Sequence, residues 1–180
     1  QKSVYWNHLR GGGGEYLFAV NDLRVPGPIY GRFGKVAEQG VARQVVFHVG
    51  NPAWRYAYDL LTQKRSTVES GRLTLKLPPC GGAVLLLTKE PIGKLGGEVT
   101  SQHELVLRMN PAPGLIPVRI ELVQPDGVVF SDRYDVLTDG QLNRKLAIPV
   151  NAPAGRWSVR VAELASGQSV VIPFPVRSSR

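Results

Sequence analysis

The sequence predicts an all-β protein made of two tandem antiparallel β-sandwich domains. Three observations carry that expectation. Apolar and polar residues alternate over short runs, turn formers punctuate those runs, and no segment sustains a helical apolar stripe. Strand side chains point to opposite faces at period two, so each alternating run buries one face and wets the other.

In the first half the expected strands are Val4–Trp6, Glu15–Asn21, Ala42–Val49, Tyr56–Asp59, Ser66–Glu69, Arg72–Leu77 and Ala83–Thr88. The clearest is Arg72–Leu77, where Leu73, Leu75 and Leu77 share one face and Thr74 and Lys76 the other. Between Leu23 and Gly40 lies a Pro- and Gly-rich connection, and Gly34 to Arg43 reads as loop or at most one helical turn. In the second half the strands are Glu98–Thr100, Glu104–Met109, Pro117–Gln124, Val128–Leu137, Leu142–Val150, Arg156–Leu164 and Ser169–Val176. Val118, Ile120 and Leu122 alternate with Arg119 and Glu121, and Trp157, Val159 and Val161 with Ser158 and Arg160, which places Trp157 in the core. Turn chemistry falls between these runs at Ser70-Gly71, Gln124-Pro125-Asp126-Gly127, Asp139-Gly140 and Ser166-Gly167.

The segment Pro91–Gly97 interrupts the apolar pattern with small and kinking residues. It sets the expected boundary, with one sandwich over 1–92 and a second over 93–180. Units of that size bury modest cores and gain from a docked neighbour. The single Cys80 cannot form an intrachain disulfide, so packing alone must hold the fold. No stretch reaches the ~20 apolar residues of a spanning helix, which argues against membrane insertion. The chain starts at Gln1 rather than Met, as expected of a fragment of something longer.

A net charge of +8 invites a nucleic-acid reading. Its distribution argues against one. Up to Gly93 there are 12 Lys/Arg against 6 Asp/Glu, and beyond it 10 against 8, with cations such as Arg24, Arg32, Lys35, Arg43 and Arg55 spread singly. A solvated surface is the better reading.

Catalytic and cofactor chemistry find little support. Gly11–Gly14 lead into a strand, not the helix that a phosphate-cradling loop requires, and read as a hairpin tip. His8, His48 and His103 lie far apart without ligand spacing, and Cys80 has no partnering base near it in sequence. Asp132 and Asp135 are the nearest thing to a carboxylate cluster, but they alternate to opposite faces of one strand and read as surface charges. The expectation is no enzyme, no cofactor and no metal.

Aromatics concentrate in the first half: Tyr5, Trp6, Tyr16, Tyr30, Phe33, Trp54, Tyr56 and Tyr58. Large rings fill cores, yet exposed ones also stack on the apolar faces of sugars. Trp54, after Gly50-Asn51-Pro52-Ala53 in an expected loop, leads the candidate ligand contacts, followed by Tyr30 and Phe33.

The passages Glu15–Asp22 and Ala57–Thr62, followed by Leu73–Leu77 and Ala83–Leu87, resemble β-sandwich domains that follow the catalytic barrel of large bacterial glycoside hydrolases. Pro117–Asp126 and Ala154–Val161 resemble bacterial immunoglobulin-like or macroglobulin-type repeats. The resemblance implies a non-catalytic accessory module of a larger exported protein, with the second domain immunoglobulin-like. Its implied partners are neighbouring domains of the parent chain. A glycan is the alternative partner, through a carbohydrate-binding function.

Overall fold

A computed structural model describes residues 3–11, 14–30, 35–112 and 114–177, and the side chains of all of these except 29, 30 and 35–37. Every regular element among them is a strand. The chain divides into two compact units, one of Gln1–Arg10 and Glu15–Lys89 and one of Gly11–Gly14 and Glu90–Arg180.

The first unit contains β1 (Val4–Gly11), β2 (Gly14–Asn21), β3 (Arg24–Tyr30), β4 (Lys35–Gly40), β5 (Arg43–His48), β6 (Tyr56–Asp59), β7 (Lys64–Thr67), β8 (Arg72–Leu77) and β9 (Gly82–Thr88). A five-stranded sheet runs β1-β2-β9-β6-β7, while β5-β8 and β3-β4 form separate two-stranded ribbons. Period-two burial builds the core. Leu17 and Ala19 from β2, Ala57 from β6, and Ala83, Leu85 and Leu87 from β9 meet Leu73 and Leu77 of β8. Val45 and Phe47 of β5 and Leu75 of β8 pack at its margin. Leu86 and Tyr58, on the opposite face of the large sheet, are also buried. A strand hidden on both faces reads as an unbroken apolar run, as Ala83–Leu87 does.

The second unit contains β10 (Lys94–Val99), β11 (Glu104–Asn110), β12 (Leu115–Val123), β13 (Val129–Thr138), β14 (Gln141–Lys145), β15 (Gly155–Glu163) and β16 (Ser169–Val176). Their order is β10-β11-β14-β13-β12-β15-β16, all antiparallel. Between β13 and β14 only Thr138↔Gln141 is paired, at the turn where the chain crosses from one layer to the other. Leu105, Leu107 and Met109 from β11 are buried, as are Val118, Ile120 and Leu122 from β12, Trp157, Val159 and Val161 from β15, and Ile172 and Phe174 from β16. The layers touch where Gly97 lies against Leu107 and Ile172, and where His103 meets the Phe174 ring at 5.8 Å. Three strands over four, linked by crossings, make an immunoglobulin-like sandwich. β10 lies beside β16 without pairing to it. Pro173 and Pro175 oppose Ser158 and Arg156 of β15, and a residue without an N–H belongs where its nitrogen faces away from the partner strand. The edge of β16 toward β10 therefore lacks donors at both positions.

The turns follow the sequence. Ser70 (φ 49°) with Gly71 (φ 73°) and Asp139 (φ 48°) with Gly140 (φ 76°) both have two successive positive-φ residues, the geometry of tight hairpins. The Gly127 N–H donates to the Gln124 carbonyl at 3.0 Å, and the Val128 N–H to Asp126 Oδ1 at 3.0 Å. The centre of the Gly11–Gly14 tip lies outside the described residues.

Three expectations need correction. The stretch read as loop or helical turn contains β4, paired to β3 as Arg24↔Gly40 through Tyr30↔Lys35 with an irregularity between Pro26 and Ile29. Its prolines and glycines hide the alternation while leaving one bonded ladder intact. The expected linker Pro91–Gly97 runs into β10 from Lys94 onward. Glycine is required within that strand, because a Cβ on Gly97 would lie 2.6 Å from the Leu107 side chain. Finally, the strand expected over Leu142–Val150 stops at Lys145, ahead of Pro149.

Two substitutions test this packing. Leu73 is fully buried, so Leu73→Ala lowers unfolding free energy by about 2–5 kcal/mol in chemical denaturation. At Gly140 a Cβ would collide with the Met109 carbonyl oxygen at positive φ. Gly140→Ala therefore costs more than about 1 kcal/mol, read as a lower denaturation midpoint at unchanged slope.

Candidate functional site

Of the sequence-predicted ligand residues, Trp54 alone has a described side chain. Trp54 was expected in an exposed loop, but it is only 5 % exposed and belongs to the core of the first unit. Asn51 folds the loop inward, its carbonyl accepting from the Trp54 N–H at 3.3 Å and its side chain from the Ala53 N–H at 3.0 Å. The indole N–H donates to Glu15 Oε2 at 2.7 Å, and the Lys89 ammonium lies 5.8 Å from the ring centroid. No face of this ring is left for a sugar to stack on. The backbone of Tyr30 ends β3, its side chain is not among those described, and Phe33 lies outside the described residues.

What organises this region is Glu15, which was not singled out from the sequence. It occupies an inward position of β2, in step with Leu17 and Ala19, and is 8 % exposed. Its carboxylate meets three partners: the Trp54 indole, His8 Nε2 at 2.9 Å and Arg10 Nε at 3.0 Å. A carboxylate can be buried only when its oxygens are satisfied in this way. The signal was present, because a Glu that begins an alternating apolar face is out of pattern.

Other carboxylates are similarly engaged. Arg119 grips Asp132 with both Nε and Nη2, and also meets Glu121 at 2.8 Å. The hydrogen bond and charge of Arg119 hold the Asp132 carboxyl below its usual range. Arg144 does the same for Asp135 at 2.6 Å, depressing that carboxyl mainly through the hydrogen bond. Glu163, fully buried, accepts from the Ser166 amide at 2.7 Å and from the Ser166 hydroxyl, closing the β15–β16 turn. Among the described residues, no group of three or more His, Cys, Asp or Glu is placed to hold a metal ion. His48 and Cys80 are exposed, and Cys80 sits at a positive-φ turn position (φ 50°).

The concave feature of the first unit is a groove of about 630 Å³ between β1 and β5. Ser3, Val4, Trp6 and His8 form one wall, Arg43 through Gly50 the other, and Leu17 and Leu87 the floor. Trp6 is 63 % exposed and meets Phe47 edge-on, with centroids 6.4 Å apart. No acidic side chain lines the groove, whereas Arg43, His8 and His48 do.

No family model matches the chain, and no curated protein matches it. Among solved structures, it is similar to a tetra-tandem repeat in the extending region of a large adhesion protein. Identity there is 10%, over 93% of this chain and 57% of that one, with a TM-score of 0.35. It is also similar to the FN1–FN3 domains of chicken CNTN1, at 10% identity over 92% of this chain and 76% of that one, with a TM-score of 0.32. The chain thus spans a little over half of the first structure. The sandwich fold rests on the strand order itself.

Two outcomes follow from the ion pairs. Asp135 has a folded pKa below its unfolded value, so its stabilising contribution is full above the unfolded value near pH 4 and is lost as pH falls through the folded one. Thermal unfolding from pH 7 to 2 shows that acid loss, and Arg144→Gln makes it shallower. Glu15→Leu leaves His8, Arg10 and the Trp54 N–H without their acceptor; it lowers stability by about 1–3 kcal/mol and shifts Trp fluorescence.

Proposed function

We propose that this chain is a non-catalytic accessory module of a larger exported protein, two sandwiches (1–92 and 93–180) that support or position a neighbouring domain. The observation that carries the reading is the use made of the carboxylates. Glu15, Asp132, Asp135 and Glu163 each serve an ion pair or a turn within the fold. Among the described residues, no helix is long and apolar enough to cross a membrane.

Carbohydrate binding is the less supported alternative. With Trp54 buried, the exposed rings among the described residues are Tyr5 (58 %), Trp6 (63 %), Phe130 (41 %) and Tyr134 (69 %), while the side chains of Tyr30 and Phe33 lie outside those described. Tyr5 and Trp6 are consecutive in β1 and point to opposite faces, while Tyr134 belongs to the other unit. Tyr5 and Trp6 therefore do not share a platform.

The test is deletion of residues 1–180 from the full parent chain, with the remainder assayed by calorimetry and for its own activity. A positioning module predicts a lower unfolding temperature or a weakened activity in the remainder. Turnover of glycoside, ester or peptide substrates by the isolated 1–180 chain would overturn the non-catalytic reading.

A further inference from the structure

We propose that the groove between β1 and β5 receives an extended, acidic peptide strand of a partner protein, paired to the open edge of β5. The inference goes beyond the positioning role and does not depend on it.

The two walls differ in a way that fixes the geometry. β1 contributes Val4, Trp6 and His8, every second residue, and so presents one face. β5 contributes every residue from Arg43 to His48, although neighbours point to opposite faces. Only the edge of a strand touches all its residues in succession, so the groove runs along the backbone of β5. That strand pairs with β8, from Arg43↔Leu77 to His48↔Arg72, and with no other among the described residues. Half of its N–H and C=O groups therefore face the groove without a strand partner.

A second observation points to an occupant. Ser3 lines the groove, is 7 % exposed, and its buried hydroxyl has no hydrogen-bond partner among the described residues. Buried hydroxyls are almost always satisfied. A peptide backbone in the groove would satisfy the β5 edge, and Ser3 as well once its hydroxyl rotates toward the groove. Layering agrees, because β2, β6 and β9 of the five-stranded sheet share their core with the two-stranded β5-β8 ribbon, and Val4, Leu17 and Leu87 reach the groove. An added strand would seat alternate apolar side chains on that floor, as in β-strand addition. Charge selects its composition: no acid among the described residues lines the groove, Glu15 already engages His8, and Arg43 has no ion-pair partner among the described residues.

The probe is a fluorescein-labelled peptide of about eight residues, valine alternating with threonine and glutamate replacing the valine that falls opposite Arg43, long enough for β5 at ~3.4 Å per residue. It is titrated into the 1–180 chain by fluorescence anisotropy. Saturable binding is expected, with Arg43→Glu weakening it at least about fivefold while leaving the melting temperature unchanged. Two further peptides carry backbone N-methyl groups, one on the valines and one on the other positions. Only one set of amides can face β5, so one methylated peptide loses binding and the other stays within about twofold. Equal effects of the two methylations would overturn the proposal, as would no saturation by about 1 mM peptide. So would displacement of the peptide by neutral or acidic oligosaccharides, or a dimer of this chain that Arg43→Glu dissolves.

Discussion

A fold made only of strands must dispose of its sheet edges. Each outermost strand carries a row of N–H and C=O groups with no ladder partner, and an edge left open invites pairing with another chain. This constraint explains features of the sequence that hydrophobic patterning does not. Proline recurs in β16, at Pro173 and Pro175, and in β3, at Pro26 and Pro28. In β16 it removes donors from the side that lies beside β10, so the second sandwich closes by packing rather than by a further ladder. At β7, Lys64 and Arg65 place charge on the terminal strand of the large sheet. β5 has none of these devices over Gln44–His48, and its residues line the groove.

Burial inside the sheets was legible wherever a strand hides one face and wets the other. Tyr56–Asp59, Arg72–Leu77 and Ser169–Val176 stand where alternation placed them. Asp139-Gly140 and Ser70-Gly71 adopt the positive φ values their residue types favour. The ribbon β3-β4 was not legible, because a strand at the periphery needs no apolar face and can carry Pro26, Gly27 and Pro28 through an irregular register. Gly96 and Gly97 misled in the same direction. They read as linker, yet Gly97 is small because Leu107 and Ile172 press against its backbone. Glycine marks a close approach as readily as a hinge.

The candidate site was legible in composition and illegible in orientation. Gly50-Asn51-Pro52-Ala53 correctly forecast a turn before Trp54, but a turn does not decide whether the next side chain points out or in. That decision came from Glu15, thirty-nine positions away in sequence, whose carboxylate accepts the indole N–H. A ring with one polar edge is buried most readily where that edge finds an acceptor. The pairing also accounts for Glu15, since neither group could be buried at low cost alone. The long-range partner, invisible to any local pattern, turned a presumed ligand contact into a core residue.

The same network separates Trp6 from Trp54. His8 and Arg10, two and four residues beyond Trp6 on the same face of β1, reach Glu15, and that anchors the strand from one end. Val4 anchors it from the other through the core margin. Trp6 lies between these anchors and meets Phe47 edge-on across the groove. The β1 wall is therefore held in place by contacts that lie outside the groove. A cleft whose walls are fixed independently of its contents has already met part of the ordering cost that binding otherwise imposes. Among the described residues, the groove leaves unpaired the backbone edge of β5 and the Ser3 hydroxyl, groups of a kind that another backbone can satisfy.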